Sequence, residues 1–325
     1  MRSVNRNRIL AAVILVLAVG ASEPCTGAGY PERPVTMLVG LAAGGGNDLI
    51  ARTLAEALKM YFPQPVSVVN KTGGGASIAA ADVAQAKPDG YTLLVAYAPA
   101  ITVLPHINPN LPYKGPGNFQ MISGGAIAPI LLASRNNAPW KTLPEMIDYA
   151  RKNPGKVRLG HAGIGSLGHL CAEDLMQAAR VEITLVPFTG AATAITAALG
   201  GHVDLVHSNP TPLLGHLRAG TIKNLAVFED KRVGDYPNVP TVRELGYEVG
   251  THNTNCFVAG PKGLPKEVVQ TLSNACNKAL KSETFQKFAR ENALIVDYQG
   301  PDELARKIES DWSFYGMFLK KVKLQ

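Results

Sequence analysis

The chain switches repeatedly between two hydrophobic periods. Short runs of consecutive apolar residues occur at VTMLVG (35–40), VSVVN (66–70) and YTLLVAY (91–97), and each of the first two precedes a longer segment of different rhythm. Continuous apolar runs of this length predict buried strands, and recurrence every three or four residues predicts helices. In NDLIARTLAEALKMYF (47–62), Ile50, Leu54 and Leu58 fall at i, i+4 and i+8, with Arg52, Glu56 and Lys59 off that stripe. An alanine-rich helix is predicted over SIAAADVAQA (77–86), ended by the turn Pro88-Asp89-Gly90.

The middle of the chain repeats the scheme. TLPEMIDYARKNP (142–154) predicts a helix with Thr142 as N-cap, Pro144 in the first turn and Glu145 at the capping-box position. VRLGHAGIGSLGHLCAEDLMQAARV (157–181) reads as strand, glycine loop, helix. Strands ITLVPF (183–188), VDLVHS (203–208) and IKNLAVF (222–228) then alternate with helices AATAITAALGG (191–201) and TPLLGHLRAG (211–220). The tail is different: residues 266–283, 283–293 and 301–322 read as three amphipathic helices with few strands between them. Alternation of this kind predicts an α/β fold with a largely parallel sheet. A chain that builds one unit, crosses to a second and returns with helices predicts two lobes with a cleft between them. The crossings fall in SGGAIAPILLASRNNAP (123–139) and EVGTHNTNCFVAGP (248–261), which gives lobe 1 as residues 29–133 plus 252–325 and lobe 2 as 134–251. The alternative pattern is one large doubly wound domain.

With 325 residues and 46% hydrophobic composition, the chain has enough apolar material for two cores and too much for disorder. Its net charge of +7 comes from scattered basic residues with no Lys/Arg run, so no nucleic-acid partner is expected and a small anion suits it better. The N-terminus carries Arg2, Arg6 and Arg8, then an apolar run from Ile9 to Val19, then small residues. That is the layout of a secretory signal over residues 1–28, with cleavage expected between Gly20 and Ala28. A lipid anchor at Cys25 and an uncleaved anchor are the competing readings, the first opposed by Glu23 and Pro24. Export makes cysteine chemistry relevant. Cys25, Cys171, Cys256 and Cys276 match no zinc spacing, and two readings stay open: a Cys256–Cys276 disulfide, or buried free thiols.

Candidate chemistry concentrates in glycine-rich turns between strands and helices. In AAGGGNDLI (42–50) the glycines let several backbone N–H groups converge where a helix begins, which favours a phosphate or carboxylate. Asn47 is the expected N-cap, and Asp48 in the first turn favours the dipole while weighing against a doubly charged phosphate. The spacing is neither a dinucleotide fingerprint nor a P-loop, and no cofactor is expected. LGHAGIGSLGHL (159–170) follows the same logic, with Ser166 as N-cap or ligand donor. Glycine falls directly before that serine, so the nucleophile-elbow spacing is missing, and His169 is too near in sequence to serve as a distant base. NKTGGGASIAA (70–80) and PFTGAAT (187–193) are further turns of this kind. His161 and His207 each end a strand beside a loop, as ligand-facing or as structural imidazoles. No histidine pair has metal spacing.

Several of these stretches together resemble one family, the Bug receptors, which are the periplasmic solute-binding proteins of tripartite tricarboxylate transporters. YPERPVTMLVGLAAGGGNDLIARTLAEAL (30–58) is similar to the family's start, with its Gly-Gly-x-x-Asp element. Residues 68–96 resemble its glycine turn and Pro-Asp-Gly-Tyr-Thr-Leu segment, GHAGIGSLGHL (160–170) its central glycine loop, and residues 186–209 and 236–247 its later blocks. The resemblance implies a two-lobed, type II periplasmic-binding-protein fold that closes on a small organic anion, often a di- or tricarboxylate. It implies a carboxylate held by backbone N–H groups and waters. Carried over, Gly44, Gly45, Asn47 and Asp48 stand at the first loop; Gly165, Ser166 and His169 at the second; Thr189, Gly190 and Ala191 at the turn after VPF. Ala43 and Thr72 replace prolines of the pattern, and His161 stands where Ser is common. His207 and Ser208 stand where Phe and Asp are usual, facing the distal end of the ligand. Loss of that acid removes a partner for an ammonium group and points to a ligand without an amine, a second carboxylate or an aromatic acid. The expected protein is a periplasmic, non-enzymatic monomer. Its expected partners are membrane permease subunits or, alternatively, a sensor kinase. An exported hydrolase using Ser166 is the rival reading.

Overall fold

The computed structural model describes residues 29–321, apart from 230, 234–235, 251–253 and 297. The expected export signal, with Cys25, lies outside the described residues. The chain opens with β1 (Val35–Val39), α1 (Gly46–Leu58), β2 (Val66–Asn70), α2 (Ser77–Ala84) and β3 (Thr92–Tyr97). Two short helices, α3 (Ala98–Thr102) and α4 (Leu104–Ile107), lead to β4 (Phe119–Ala128). The next strand, β5 (Leu131–Arg135), already belongs to the second sheet. That sheet is built from α5 (Leu143–Lys152), β6 (Arg158–His161), α6 (Leu167–Ala179), β7 (Thr184–Pro187), α7 (Ala191–Leu199), β8 (Leu205–Ser208), α8 (Leu214–Arg218) and β9 (Ile222–Val227). The chain returns through β10 (Thr254–Pro261), α9 (Lys266–Lys281), α10 (Glu283–Glu291), β11 (Ile295–Val296) and α11 (Pro301–Lys321).

The two sheets have strand orders β11-β4-β10-β3-β1-β2 and β7-β6-β8-β5-β9, one per lobe. They are more mixed than the sequence suggests. Pairs joined by a helix within one lobe are parallel, such as β1 with β2 and β3, and β6 with β7 and β8. Strands that arrive from the other lobe run the opposite way. β10 is antiparallel to β3 and β4, and β5 is antiparallel to β8 and β9. No helical crossover precedes these strands, so nothing imposes the parallel direction.

Local chemistry explains the elements. Ile50, Leu54 and Leu58 of α1 are buried in one apolar cluster with Met37 and Val39 of β1, as their spacing requires. Thr142 caps α5 by accepting the Glu145 N–H at 3.3 Å. The Glu145 carboxylate accepts from the Lys141 N–H at 2.7 Å, one residue before the cap. Cys171, Cys256 and Cys276 are buried free thiols, so the disulfide reading falls.

Two lobe boundaries move. β5 begins at Leu131, so residues 131–133 belong with the second sheet and the crossing occupies residues 129–130. The last helix is shared. Leu304 and Ile308 of α11 sit in a first-lobe cluster, while Tyr315, with Phe318 and Leu319 against it, packs in the second-lobe core. A helix of 21 residues is about 30 Å long, enough to lie across both lobes.

Candidate functional site

The lobes meet around a cavity of about 140 Å³ lined from both sides. Their approach is close. A Cβ on Gly46 of α1 would stand 2.6 Å from Nδ2 of Asn209, just after β8. A Cβ on Gly165 would stand 2.9 Å from Cδ1 of Ile107 in α4. The Leu167 N–H donates to the Tyr97 hydroxyl at 2.9 Å, tying the start of α6 to the end of β3. Burial pushes the Tyr97 phenol pKa up, although the Leu167 bond acts the other way, so it stays a neutral hydroxyl.

The first loop is organised from behind. Asp48 is buried and accepts from the Gly44 N–H at 2.9 Å, from Arg52 Nε at 2.9 Å and from Asn70 Nδ2 at 2.8 Å. Burial alone would raise its pKa, but these bonds from Arg52, Gly44 and Asn70 hold it below the usual carboxylate range. Asp48 and Gly44 therefore shape the loop and do not line the cavity. The expected N-cap at Asn47 is corrected. Gly45 is the cap, with no side-chain bond, and the helix starts at Gly46. The N–H groups of Gly46, Asn47 and Asp48 have no acceptor among the described residues. Asn47 is only 3% exposed, and its Nδ2 is buried without a partner.

The second loop is bonded internally. Ser166 caps α6 by accepting the His169 N–H at 3.3 Å. His169 Nδ1 accepts the Gly165 N–H at 3.0 Å, and its Nε2 lies 3.5 Å from Glu173. Nδ1 of His161 donates to the Gly163 carbonyl at 3.0 Å, and the two imidazoles stack at 4.6 Å. Burial, reinforced by His169, lowers the His161 pKa to about 4. His161 and His169 thus support the loop from beneath and do not line the cavity. Neither ring nitrogen of His169 reaches the Ser166 hydroxyl, so a serine–histidine pair is not assembled there.

Gly45, Asn47, Gly165 and Ser166 do line the cavity, as do Thr189, Gly190 and Ala191 at the start of α7. There the N–H groups of Ala191, Ala192 and Thr193 also lack acceptors among the described residues. His207 and Ser208 complete this part of the lining at the end of β8. Nδ1 of His207 donates to the Gly168 carbonyl at 2.6 Å, a closeness that needs Gly168, whose Cβ would meet that of His207 at 2.8 Å. Sequence reasoning missed Tyr97 and Asn209, and the apolar walls Leu104, Ile130 and Ile164. Tyr97 and Asn209 sit at or just beyond carboxyl ends of strands, where α/β folds gather ligands, and that signal was available. Gly75 of the third glycine turn also lines the cavity. That turn packs tightly too, since a Cβ on Gly40 would meet the Ala76 Cβ at 2.4 Å.

Among the described residues no Lys, Arg, Asp or Glu side chain lines the cavity. What it offers an anion is helix N-termini, which carry partial positive charge. Among the described residues no cluster of three or more His, Cys, Asp or Glu could hold a metal ion.

The chain's relatives carry the same architecture. A family model described as the tripartite tricarboxylate transporter family receptor matches residues 50–324. Protein BugT of Bordetella pertussis is 31% identical over 295 residues, covering 90% of each chain. The structure of the periplasmic binding protein BugD superposes with a TM-score of 0.84 at 33% identity, covering 91% of this chain and 99% of BugD. MatC from Rhodopseudomonas palustris, solved with bound malate, gives a TM-score of 0.83 at 28% identity and covers 89% of this chain and all of MatC.

Proposed function

The chain belongs to the family of tripartite tricarboxylate transporter receptors, and from that premise we propose that it captures a small carboxylate between its lobes in the periplasm and hands it, unreacted, to membrane permease subunits. One observation carries this reading. Among the described residues, the N-terminus of α1 has three N–H groups without acceptors and the unpartnered Nδ2 of Asn47 beside a cavity lined by no Lys, Arg, Asp or Glu side chain. Hydrogen bonds to a charged group contribute about 1.5–3 kcal/mol each, and more donors converge than any neutral ligand atom accepts. The α7 N-terminus offers a second set from the other lobe, so an anion held by both favours closure. In this reading Gly45, Asn47, Ser166, Gly165, Thr189, Gly190, Ala191, His207 and Ser208 face the ligand. Gly44, Asp48, His161 and His169 hold the loops in shape.

The cavity, near 140 Å³, is close to the roughly 150 Å³ that admits a benzene-sized guest. That favours acids of malate's size, the ligand bound by MatC. Residues 1–28 serve as the cleaved export signal. Thermal unfolding of the protein from Tyr30 onward, against a panel of carboxylates and amino acids, tests the proposal. A ligand at about 100 times its Kd stabilises by roughly 2.7 kcal/mol. A clear upward shift is expected with a carboxylate. A shift only with amino acids, or none in protein verified to be ligand-free, would overturn the reading.

A further inference from the structure

Tyr97 stands where the two lobes touch. It ends β3 in the first sheet, and its ring packs against the core of each lobe. Its hydroxyl accepts the N–H of Leu167, the first residue of α6, at 2.9 Å. A helix start leaves that N–H without an intrahelical partner, and here the acceptor comes from the opposite lobe. A backbone N–H can only donate, so the direction of this bond is fixed, and the single proton of the phenol must point elsewhere. Among the described residues that proton has no acceptor. Burial raises the Tyr97 pKa, which keeps the proton on the oxygen.

Tyr97 lines the cavity, and so do Ser166 and Gly168 on either side of Leu167, so the bond is made at the cavity wall. We propose that Tyr97 couples capture to closure. Its hydroxyl donates to the bound carboxylate while accepting from Leu167, so an acid seated on the α1 end also holds the α6 end. The two bonds strengthen each other, because donating to an anion makes the phenol oxygen a better acceptor. Opening the lobes carries α6 away from β3 and breaks the Leu167 bond. An acid that strengthens this bond therefore favours the closed arrangement. This inference rests on the carboxylate-receptor reading above, and adds to it the residue that transmits binding from one lobe to the other.

The test is amide hydrogen exchange at Leu167, followed by NMR, together with titration calorimetry. Both use the ligand-free mature protein, with malate, succinate and benzoate as probes. With a probe that binds, the Leu167 amide of the unsubstituted protein is expected to exchange at least about tenfold more slowly than without it. Tyr97→Phe keeps the ring and removes only the hydroxyl. In that variant the probe is expected to leave Leu167 exchange unchanged and to bind at least about tenfold more weakly. A merely structural tyrosine would lower stability alike with and without the probe and leave the probe's effect on Leu167 in place. Binding that does not slow Leu167 exchange in the unsubstituted protein overturns the inference and leaves the receptor reading standing. So does a folded Tyr97→Phe that binds the probe as tightly. If that variant does not fold, Leu167 exchange in the unsubstituted protein decides by itself. Absence of binding by every probe overturns both readings.

Discussion

At the start of α1, three consecutive N–H groups and the buried Nδ2 of Asn47 have no partner among the described residues. At the start of α6, an equally glycine-rich loop is occupied by its own surroundings: Ser166 caps it, His169 takes the Gly165 N–H, and Tyr97 takes that of Leu167. Both are helix N-termini after strands, and both line the cleft. The difference lies in what the neighbouring side chains do. Around α1, Asp48 turns away to hold Gly44, Arg52 and Asn70, which fixes the loop while leaving its helix end open. Around α6, the side chains turn inward and take the N–H groups of Gly165, Leu167 and His169, and only that of Gly168 has no acceptor among the described residues. In the proposed function, the first loop receives the anion and the second gives the cleft a rigid wall.

The comparison breaks most sharply at Asn47. Asn47→Ala removes a buried donor that nothing in the protein satisfies. Ligand affinity is expected to fall about 10- to 100-fold, or roughly 1.5–3 kcal/mol, while the unfolding midpoint holds or rises because an orphan group is gone. Calorimetric titration alongside thermal unfolding checks both arms, and loss of stability without loss of affinity would count against the open-loop assignment.

The second loop should reveal itself through acid. Burial and His169 keep His161 neutral down to about pH 4. An unfolded histidine protonates near pH 6.5, so below that the unfolded state binds more protons. Stability from this group is full above about pH 6.5 and is lost as pH falls towards 4, on the order of 2 kcal/mol between pH 7 and pH 5. Urea unfolding across that range measures it. His161→Gln is expected to flatten the slope, and an unchanged slope would show that other groups dominate acid sensitivity.

The smallest expected effect is at the cap. Ser166→Ala removes the acceptor for the His169 N–H and is expected to cost about 1 kcal/mol of stability. Denaturant unfolding reads that loss. Affinity is expected to drop less than in the Asn47 variant. A reversal of that order would mean that Ser166, not the α1 end, provides the main contact.

Much of this molecule was legible in its residues. The strand and helix periods of Val35–Leu58, the Thr142 cap and the Ser166 cap all depend on groups a few residues apart, and local sequence specifies such interactions directly. The Asn47 cap was misjudged because glycine competes well for that position when the side chain has another place to go. A strand end beside a loop left the role of His161 open between ligand and support, because the pattern does not reveal which side of the loop a ring occupies.

Taken alone, the sequence determined the alternation of elements and which turns free backbone donors at a helix start. Tertiary structure alone decided which of those donors stay free. Tyr97 lies 70 residues from Leu167, and Asn209 comes from the lobe opposite Gly46. A helix end is open or satisfied according to side chains that only folding brings within about 3 Å, and hydrogen bonds weaken too steeply with distance for any local pattern to encode the result.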